Sequence, residues 1–239
     1  MKFSKLITWV TIYSIGMAFI ESSVVVYLRE LYYPGGFSFP LRPIEGNVAV
    51  TEILREAATL IMLISIGFLA GRNGMERFAW FIFSFAIWDI FYYIFLKLLL
   101  NWPESLFTWD ILFLIPVTWV GPVIAPVLLS FVMILFALII LHFTYRTENV
   151  KVGKVNWLLL ILGSLVVIIS FTIDYSRYIL SHFTLKEILS MPNKRPLYGV
   201  SLAYVPEKFD WWIFIVGLFI IIVSISIFVK KHNKQDSIR

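Results

Sequence analysis

The sequence predicts an all-α polytopic membrane protein, a bundle of about six transmembrane helices with both termini in the cytoplasm. Of its 239 residues, 60% are hydrophobic and only 15% are charged, with a mean hydropathy of +0.87. A soluble domain carries roughly 25% charged residues, so this chain has too little polar surface to cover a core in water. Apolar runs of about 18 or more residues with few charges also indicate membrane spans. Stretches without any Asp, Glu, Lys or Arg cover residues 6–20, 57–71, 111–145, 155–173 and 211–229.

The chain is expected to form a single transmembrane domain over residues 1–239. We predict spans over residues 6–28, 48–71, 78–100, 121–143, 157–178 and 211–229. The first span follows Lys2 and Lys5, as the apolar part of a signal peptide does. Its apolar run continues to Leu28 without a small-x-small cleavage site. This favours a retained span over a cleaved signal peptide.

The segment 111–120 contains or precedes a cluster of helix-breaking residues, with Pro116, Gly121, Pro122 and Pro126 close together. Proline frees a backbone carbonyl, and inside a bilayer such breaks need contact with protein or water. The pattern predicts a Pro-kinked fourth span whose kink lets helices pack. A re-entrant piece over 111–120 with carbonyls lining a site is the alternative.

The outer loop 179–210 begins with an amphipathic stretch. Across Ser176–Met191, apolar positions such as Ile179 and Phe183 oppose polar ones such as Lys186. This pattern predicts a helix lying on the outer membrane surface, or one that prolongs the fifth span.

Orientation follows from the distribution of Lys and Arg. One side of the predicted bundle has eleven basic residues in short loops and tails: Lys2, Lys5, Arg72, Arg77, Arg146, Lys151, Lys154, Lys230, Lys231, Lys234 and Arg239. The other side has eight, mostly in long loops: Arg29, Arg42, Lys97, Arg177, Lys186, Lys194, Arg195 and Lys208. Short basic loops lie in the cytoplasm by the positive-inside rule. We therefore expect a multi-pass protein of the cell membrane with cytoplasmic termini.

Charged residues inside the spans gather in the outer half of the predicted bundle. Glu52, Arg55 and Glu56 lie about 6–12 Å inside the outer end of the second span, at a rise of about 1.5 Å per residue. Their i, i+3 and i+4 spacing places them on one helix face. Asp89 shares a face with Tyr92 and Tyr93, whose hydroxyls are potential donors to a carboxylate.

Such residues are costly to insert in a membrane and therefore indicate a functional site. The predicted binding residues are Glu21, Glu52, Arg55, Glu56, Asp89, Tyr92, Tyr93, Asp110, Asp174 and Arg177. The alternative is that the acids and bases only fix the packing of the helices. Outer loops rich in aromatic residues, Pro and Gly are predicted to cover the site, or else to form an interfacial aromatic belt.

Several kinds of chemistry are disfavoured. The chain has no cysteine, which excludes thiolate metal sites and iron–sulfur ligation. Only His142 lies within a predicted span, so a haem site is not expected. Arg55 between two Glu residues argues against a metal, and no basic face with interleaved aromatics suggests nucleic-acid binding. We expect no cofactor, no metal and no nucleic-acid partner.

Three functions remain open from the sequence. The leading hypothesis is binding or transport of a small amphipathic or lipid-like molecule, with Arg55 holding an anionic group. The second is an intramembrane enzyme acting on a lipid or isoprenoid, with Glu56 and Asp89 as acid and base. The third is a non-catalytic subunit that pairs with a membrane-protein partner. In every case the lipid bilayer surrounds the chain.

Overall fold

The computed structural model describes residues 3–147 and 150–236. Lys2 and Arg239, two of the eleven basic residues used to predict the orientation, lie outside these residues. Within them the chain forms eight helices and one two-stranded sheet. In order these are α1 (Phe3–Tyr32), α2 (Gly46–Ala70), α3 (Gly74–Leu100), β1 (Trp109–Phe113), β2 (Trp119–Pro122), α4 (Ile124–Arg146), α5 (Lys154–His182), α6 (Leu185–Ser190), α7 (Arg195–Leu202) and α8 (Trp211–Asp236).

Six of the helices in the described part of the chain are long and apolar enough to cross a membrane: α1, α2, α3, α4, α5 and α8. At a rise of about 1.5 Å per residue, even a helix of about 20 residues covers the hydrocarbon core of a bilayer. The protein is therefore a multi-pass integral membrane protein, and the predicted fold class is confirmed. Helices α1 and α5 extend past the predicted spans at both ends, whereas α2 ends one residue before its predicted span and α4 begins three residues after the predicted start.

The first and the last described residues of the chain lie at the same end of the helix bundle. The rings of Phe3 in α1 and Tyr145 in α4 lie 4.5 Å apart, and those of Phe143 in α4 and His232 in α8 lie 5.3 Å apart. The guanidinium of Arg72 lies 4.2 Å from the Tyr145 ring. We call this side the basic end and the opposite side the outer end. That the basic end faces the cytoplasm stays a prediction.

Helix α3 is the centre of the first group of helices, since α1, α2 and α4 all pack along it. Helix α5 instead pairs with α8, which also touches α4. Two glycines allow the close approach of α5 and α8: a Cβ built on Gly163 would lie 2.9 Å from the carbonyl oxygen of Gly217. A buried polar clamp adds to this contact, with the Asn156 amide donating to the Ser224 carbonyl at 2.7 Å.

The segment 111–120 is part of a β-hairpin. Strands β1 and β2 pair antiparallel, with Asp110 opposite Gly121. The rings of Trp119 and Phe171 stack with centroids 6.2 Å apart. Phe171 lies about 16 Å from the outer end of α5 by the helical rise, so the hairpin reaches well into the bundle. The segment is thus a hairpin packed among the helices, and that it enters and leaves the bilayer from one side stays a prediction.

Two local expectations are corrected. The prolines do not kink a longer fourth span: Pro122 ends β2, and Pro126 lies in the first turn of α4, where a backbone N–H has no helical partner to lose. The amphipathic stretch Ser176–Met191 is not one helix, although its first residues prolong the fifth span to His182, as one of the two alternatives expected. It is divided at Phe183, after which Thr184 and Glu187 form a capping box that starts α6. The hydrogen bonds from Thr184 hold the pKa of Glu187 below its usual value.

Candidate functional site

A polar cavity of about 150 Å³ lies toward the outer end, between α1, α2, α3 and β1. An apolar cavity of about that volume holds a benzene molecule. The cavity of this protein therefore admits a group of about that size. Its wall carries five carboxyls and two guanidiniums: Glu21, Glu52, Glu56, Asp89, Asp110, Arg29 and Arg55. With all of them ionised, the cavity has a formal charge of −3. Trp88, Tyr92 and Tyr93 add aromatic surface to the same wall.

Arg55 joins two of these acids. Its guanidinium donates to the carboxylates of Glu52, on the same helix, and Glu21, on α1. Thr59 donates from Oγ1 to Oε2 of Glu21 at 3.0 Å. The Arg55 side chain is 18% exposed, and its nitrogens Nε, Nη1 and Nη2 all donate to carboxylates. This cluster links α1 to α2 within the membrane.

Glu56 and Asp89 have hydrogen bonds but no basic partner within salt-bridge distance among the described residues. Glu56 accepts from the backbone N–H of Leu114, at the turn of the hairpin, at 3.1 Å. Asp89 accepts from the hydroxyl of Ser130 on α4 at 2.8 Å. Both carboxyls line the cavity and therefore face whatever fills it.

Arg29 is buried at the outer end of the cavity. Its Nη2 lies 3.4 Å from Oδ1 of Asp110, and the hydroxyl of Tyr93 donates to the other oxygen of Asp110 at 3.3 Å. The guanidinium lies 3.7 Å from the Trp102 ring and 4.6 Å from the Phe37 ring. Its Nη1 has no hydrogen-bond partner among the described residues. The same holds for Nε1 of Trp88, deeper in the cavity wall.

The loop between α1 and α2 covers the outer mouth of the cavity, where Tyr33, Phe37 and Ile44 contribute to its lining. The hydroxyl of Tyr198, in α7, donates to the Ile44 carbonyl at 3.1 Å. The Tyr33 hydroxyl accepts from the backbone N–H of Arg42 at 2.8 Å. Aromatic residues of the outer loops therefore hold a cover in place over the site.

Asp174 and Arg177 lie in a different cluster, at the outer end of α5. Asp174 accepts from the hydroxyl of Tyr204 at 2.6 Å, and Arg177 donates to Asp210 at 2.6 Å. Burial and the hydrogen bond to Asp174 raise the pKa of Tyr204 above its usual value. These bonds tie the segment between α7 and α8 to α5 and place neither residue on the cavity wall.

The structure thus brings together on one wall the other predicted binding residues, namely Glu21, Glu52, Arg55, Glu56, Asp89, Tyr92, Tyr93 and Asp110. Sequence reasoning missed Arg29 and Trp88. It ended the first span at Leu28 and so assigned Arg29 to the loop. The sequence does contain a pattern that indicates Arg29: it follows Glu21 by about two helical turns and so lies on the same side of α1.

An apolar groove of about 530 Å³ lies deeper in the bundle, between α3, α4 and α5. The rings of Phe78 and Trp157 lie 5.1 Å apart across its wall near the basic end. Trp119 of the hairpin lines it toward the outer end. Phe113, on the cavity wall, lies 5.8 Å from the Trp119 ring. The hairpin therefore stands between a polar cavity and an apolar groove.

In the described part of the chain, no group of three or more His, Cys, Asp or Glu side chains is placed to hold a metal ion. No protein-family model, curated protein or solved structure matches the chain. The chemistry of the site therefore follows from its own geometry. It provides buried carboxyls, hydrogen-bond donors and aromatic faces within one small volume.

Proposed function

We propose that this integral membrane protein binds, or carries across the bilayer, a small amphipathic or lipid-like molecule. Its polar part would occupy the cavity at Glu56 and Asp89, and its apolar part the groove beyond the hairpin. Binding sites of this kind combine mostly apolar walls with a few convergent polar groups. The observation that carries the proposal is the adjacency of a charged cavity and an apolar groove, separated by one pair of rings, Phe113 and Trp119.

The orientation of the basic loops supports access from the extracytoplasmic side, since the cavity mouth lies at the end of the bundle away from Arg72 and Lys154. The loop with Phe37 and Ile44 then forms a cover between the cavity and the outside solution. A protein of the cell membrane with this arrangement takes its ligand from the outer leaflet or the external medium.

A second candidate is an enzyme that acts on the same amphipathic molecule. It is favoured by one observation: Glu56 and Asp89 line one cavity, and neither forms a salt bridge with a basic side chain among the described residues. Two such carboxyls suit general acid and base roles, in which one donates a proton while the other accepts one.

Native mass spectrometry of gently extracted protein tests the proposal. We expect wild type to retain a bound small molecule, and Glu56→Gln to lower its occupancy about tenfold or more. Gln keeps the acceptor for the Leu114 N–H but loses the charge, and a hydrogen bond to a charged group is worth about 1.5–3 kcal/mol. Glu104→Gln, on an exposed outer-loop residue, is the matched control and should retain the molecule.

Equal occupancy in wild type and Glu56→Gln, or no bound molecule in wild type and control alike, would contradict the proposal. Release of a chemically altered molecule by wild type, and of the unaltered one by Glu56→Gln, would favour the enzyme. A protein that co-purifies in fixed ratio, without a small molecule, would instead indicate a subunit of a membrane complex.

A further inference from the structure

Two kinds of polar group on the cavity wall lack a partner among the described residues: hydrogen-bond donors and carboxyls. Arg29 Nη1 and Trp88 Nε1 are buried hydrogen-bond donors without a partner among the described residues. Glu56 and Asp89 are carboxyls with no cationic side chain within salt-bridge distance in the described part of the chain. Buried polar groups in folded proteins are paired as a rule, so each exception requires a physical explanation. Arg29, Trp88, Glu56 and Asp89 all line the same cavity, so one ligand in that cavity can contact all four residues.

The Arg29 guanidinium and the two carboxyls without a basic partner are separated along the membrane normal. Arg29 pairs with Asp110, which accepts from Tyr93, whereas Asp89 lies one turn deeper on the same helix as Tyr93. One turn of helix is about 5.4 Å. Glu56 meets the hairpin at Leu114, beyond the end of β1. The guanidinium therefore lies at the outer end of the cavity, and the unpaired carboxyls lie at the inner end.

Neither a simple anion nor a simple cation can pair with all of the polar groups on this wall. An anion would meet Arg29 but would enter a cavity with a formal charge of −3. A cation would meet Glu56 and Asp89 but would leave the donor on Arg29 unbonded. The stacked rings of Trp88 and Tyr92, with centroids 6.4 Å apart, offer aromatic faces that attract an organic ammonium group.

We propose that the polar part of the ligand is a zwitterion, whose ammonium group meets Glu56 and Asp89 and whose carboxylate or phosphate meets Arg29. This inference rests on the proposed binding function and names the class of ligand for it. The zwitterion is either the headgroup of a lipid or a free solute, and a cavity of about 150 Å³ is small enough to exclude larger polar groups.

Native mass spectrometry with defined probes tests the charge requirement on wild-type protein, without any variant. Three lipids with the same two oleoyl chains are compared: phosphatidylethanolamine as the zwitterion, phosphatidylglycerol as the anion, and a trimethylammonium-propane lipid as the cation. Free phosphoethanolamine is the soluble probe. We expect the zwitterionic lipid, the soluble zwitterion or both to bind about tenfold or more tightly than either singly charged lipid, as one charged hydrogen bond allows.

Preference for the lipid identifies a headgroup as the source, and binding of phosphoethanolamine without a lipid preference identifies a free solute. Equal binding of a singly charged lipid overturns the zwitterion and leaves the proposed function intact. So does the failure of every probe when wild type still carries a co-purified molecule. The absence of both probe binding and a co-purified molecule overturns the proposed function as well.

Two variants assign the ends of the ligand. Arg29→Gln should reduce the preference for the zwitterionic over the cationic lipid about tenfold. Glu56→Gln should reduce the preference for the zwitterionic over the anionic lipid by a similar factor. Arg195→Gln, at an exposed position, is the control and should change neither ratio. If both site variants keep the wild-type ratios, the assignment of the charges is overturned.

Discussion

At the scale of single residues, Arg55 is the link between α1 and α2 in the outer half of the bundle. Its guanidinium donates to both Glu21 and Glu52, so the three side chains together hold one net negative charge. Removing one partner of a buried ion pair is far more harmful than removing the pair, because it leaves a buried charge without compensation. The side chains of all three residues are less than one-fifth exposed.

We therefore predict that Arg55→Gln lowers the free energy of unfolding by about 3 kcal/mol, the loss typical of a broken buried pair. The measurement is thermal unfolding of the purified protein in detergent. Adding Glu21→Gln to the variant should recover part of the loss, because it removes one of the abandoned carboxylates. Arg195→Gln serves as the control with an unchanged midpoint. If the unfolding temperature of Arg55→Gln equals that of the wild type, the cluster does not stabilise the bundle.

Sequence reasoning recognised the acids and Arg55 because helical spacing alone places Glu52, Arg55 and Glu56 on one face. It could not separate Asp174 and Arg177 from the site. Depth along a helix says how far a charge lies from the membrane surface, but not which neighbour the helix faces. Partners such as Ser130, which donates to Asp89, depend on the packing of α4 against α3.

At the scale of elements, the α5–α8 pair depends on the absence of side chains at its crossing. A Cβ on Gly163 would lie 2.7 Å from Cγ1 of Ile221 and 2.9 Å from the Gly217 carbonyl oxygen. A Cβ on Gly16, in α1, would meet nothing within 4 Å. The same substitution therefore has opposite consequences in two membrane-spanning helices.

We predict that Gly163→Ala lowers the free energy of unfolding by about 1–3 kcal/mol, the usual cost of overpacking. Gly16→Ala, the matched control, should be neutral or raise it by up to about 1 kcal/mol, since Ala favours a helix. Chemical unfolding in mixed micelles measures both values. Equal destabilisation by the two variants would mean that close approach of α5 and α8 is not required.

The hairpin shows the limit of prediction at this scale. Proline spacing indicated an irregular segment, and the sequence left its form open between a kink and a re-entrant piece. Its stability comes from contacts far along the chain, such as Trp119 on Phe171 and Leu114 on Glu56. The local sequence pattern does not indicate such distant partners, whereas a long apolar run by itself indicates a membrane span.

At the scale of the whole molecule, sidedness is open to a direct test because the chain has no cysteine. Single variants Ser38→Cys, in the loop after α1, and Lys151→Cys, before α5, are both at exposed positions. In intact cells, a membrane-impermeant maleimide should label Ser38→Cys, and should label Lys151→Cys only after permeabilisation. Val117→Cys, at the hairpin turn, should resist the reagent in both conditions. The reverse pattern for the two loops would invert the predicted topology.

The link between Arg55 and Glu21 also has a consequence for biosynthesis. The two residues are separated by 34 positions, so α1 brings Glu21 into the membrane ahead of Arg55, which enters with α2. A charge at a helix centre costs on the order of 2.5–3.5 kcal/mol during insertion. Arrival of α2 neutralises Glu21, which makes the first two helices a natural unit of insertion. Arg29 must wait longer, because Asp110 lies 81 positions later in the chain.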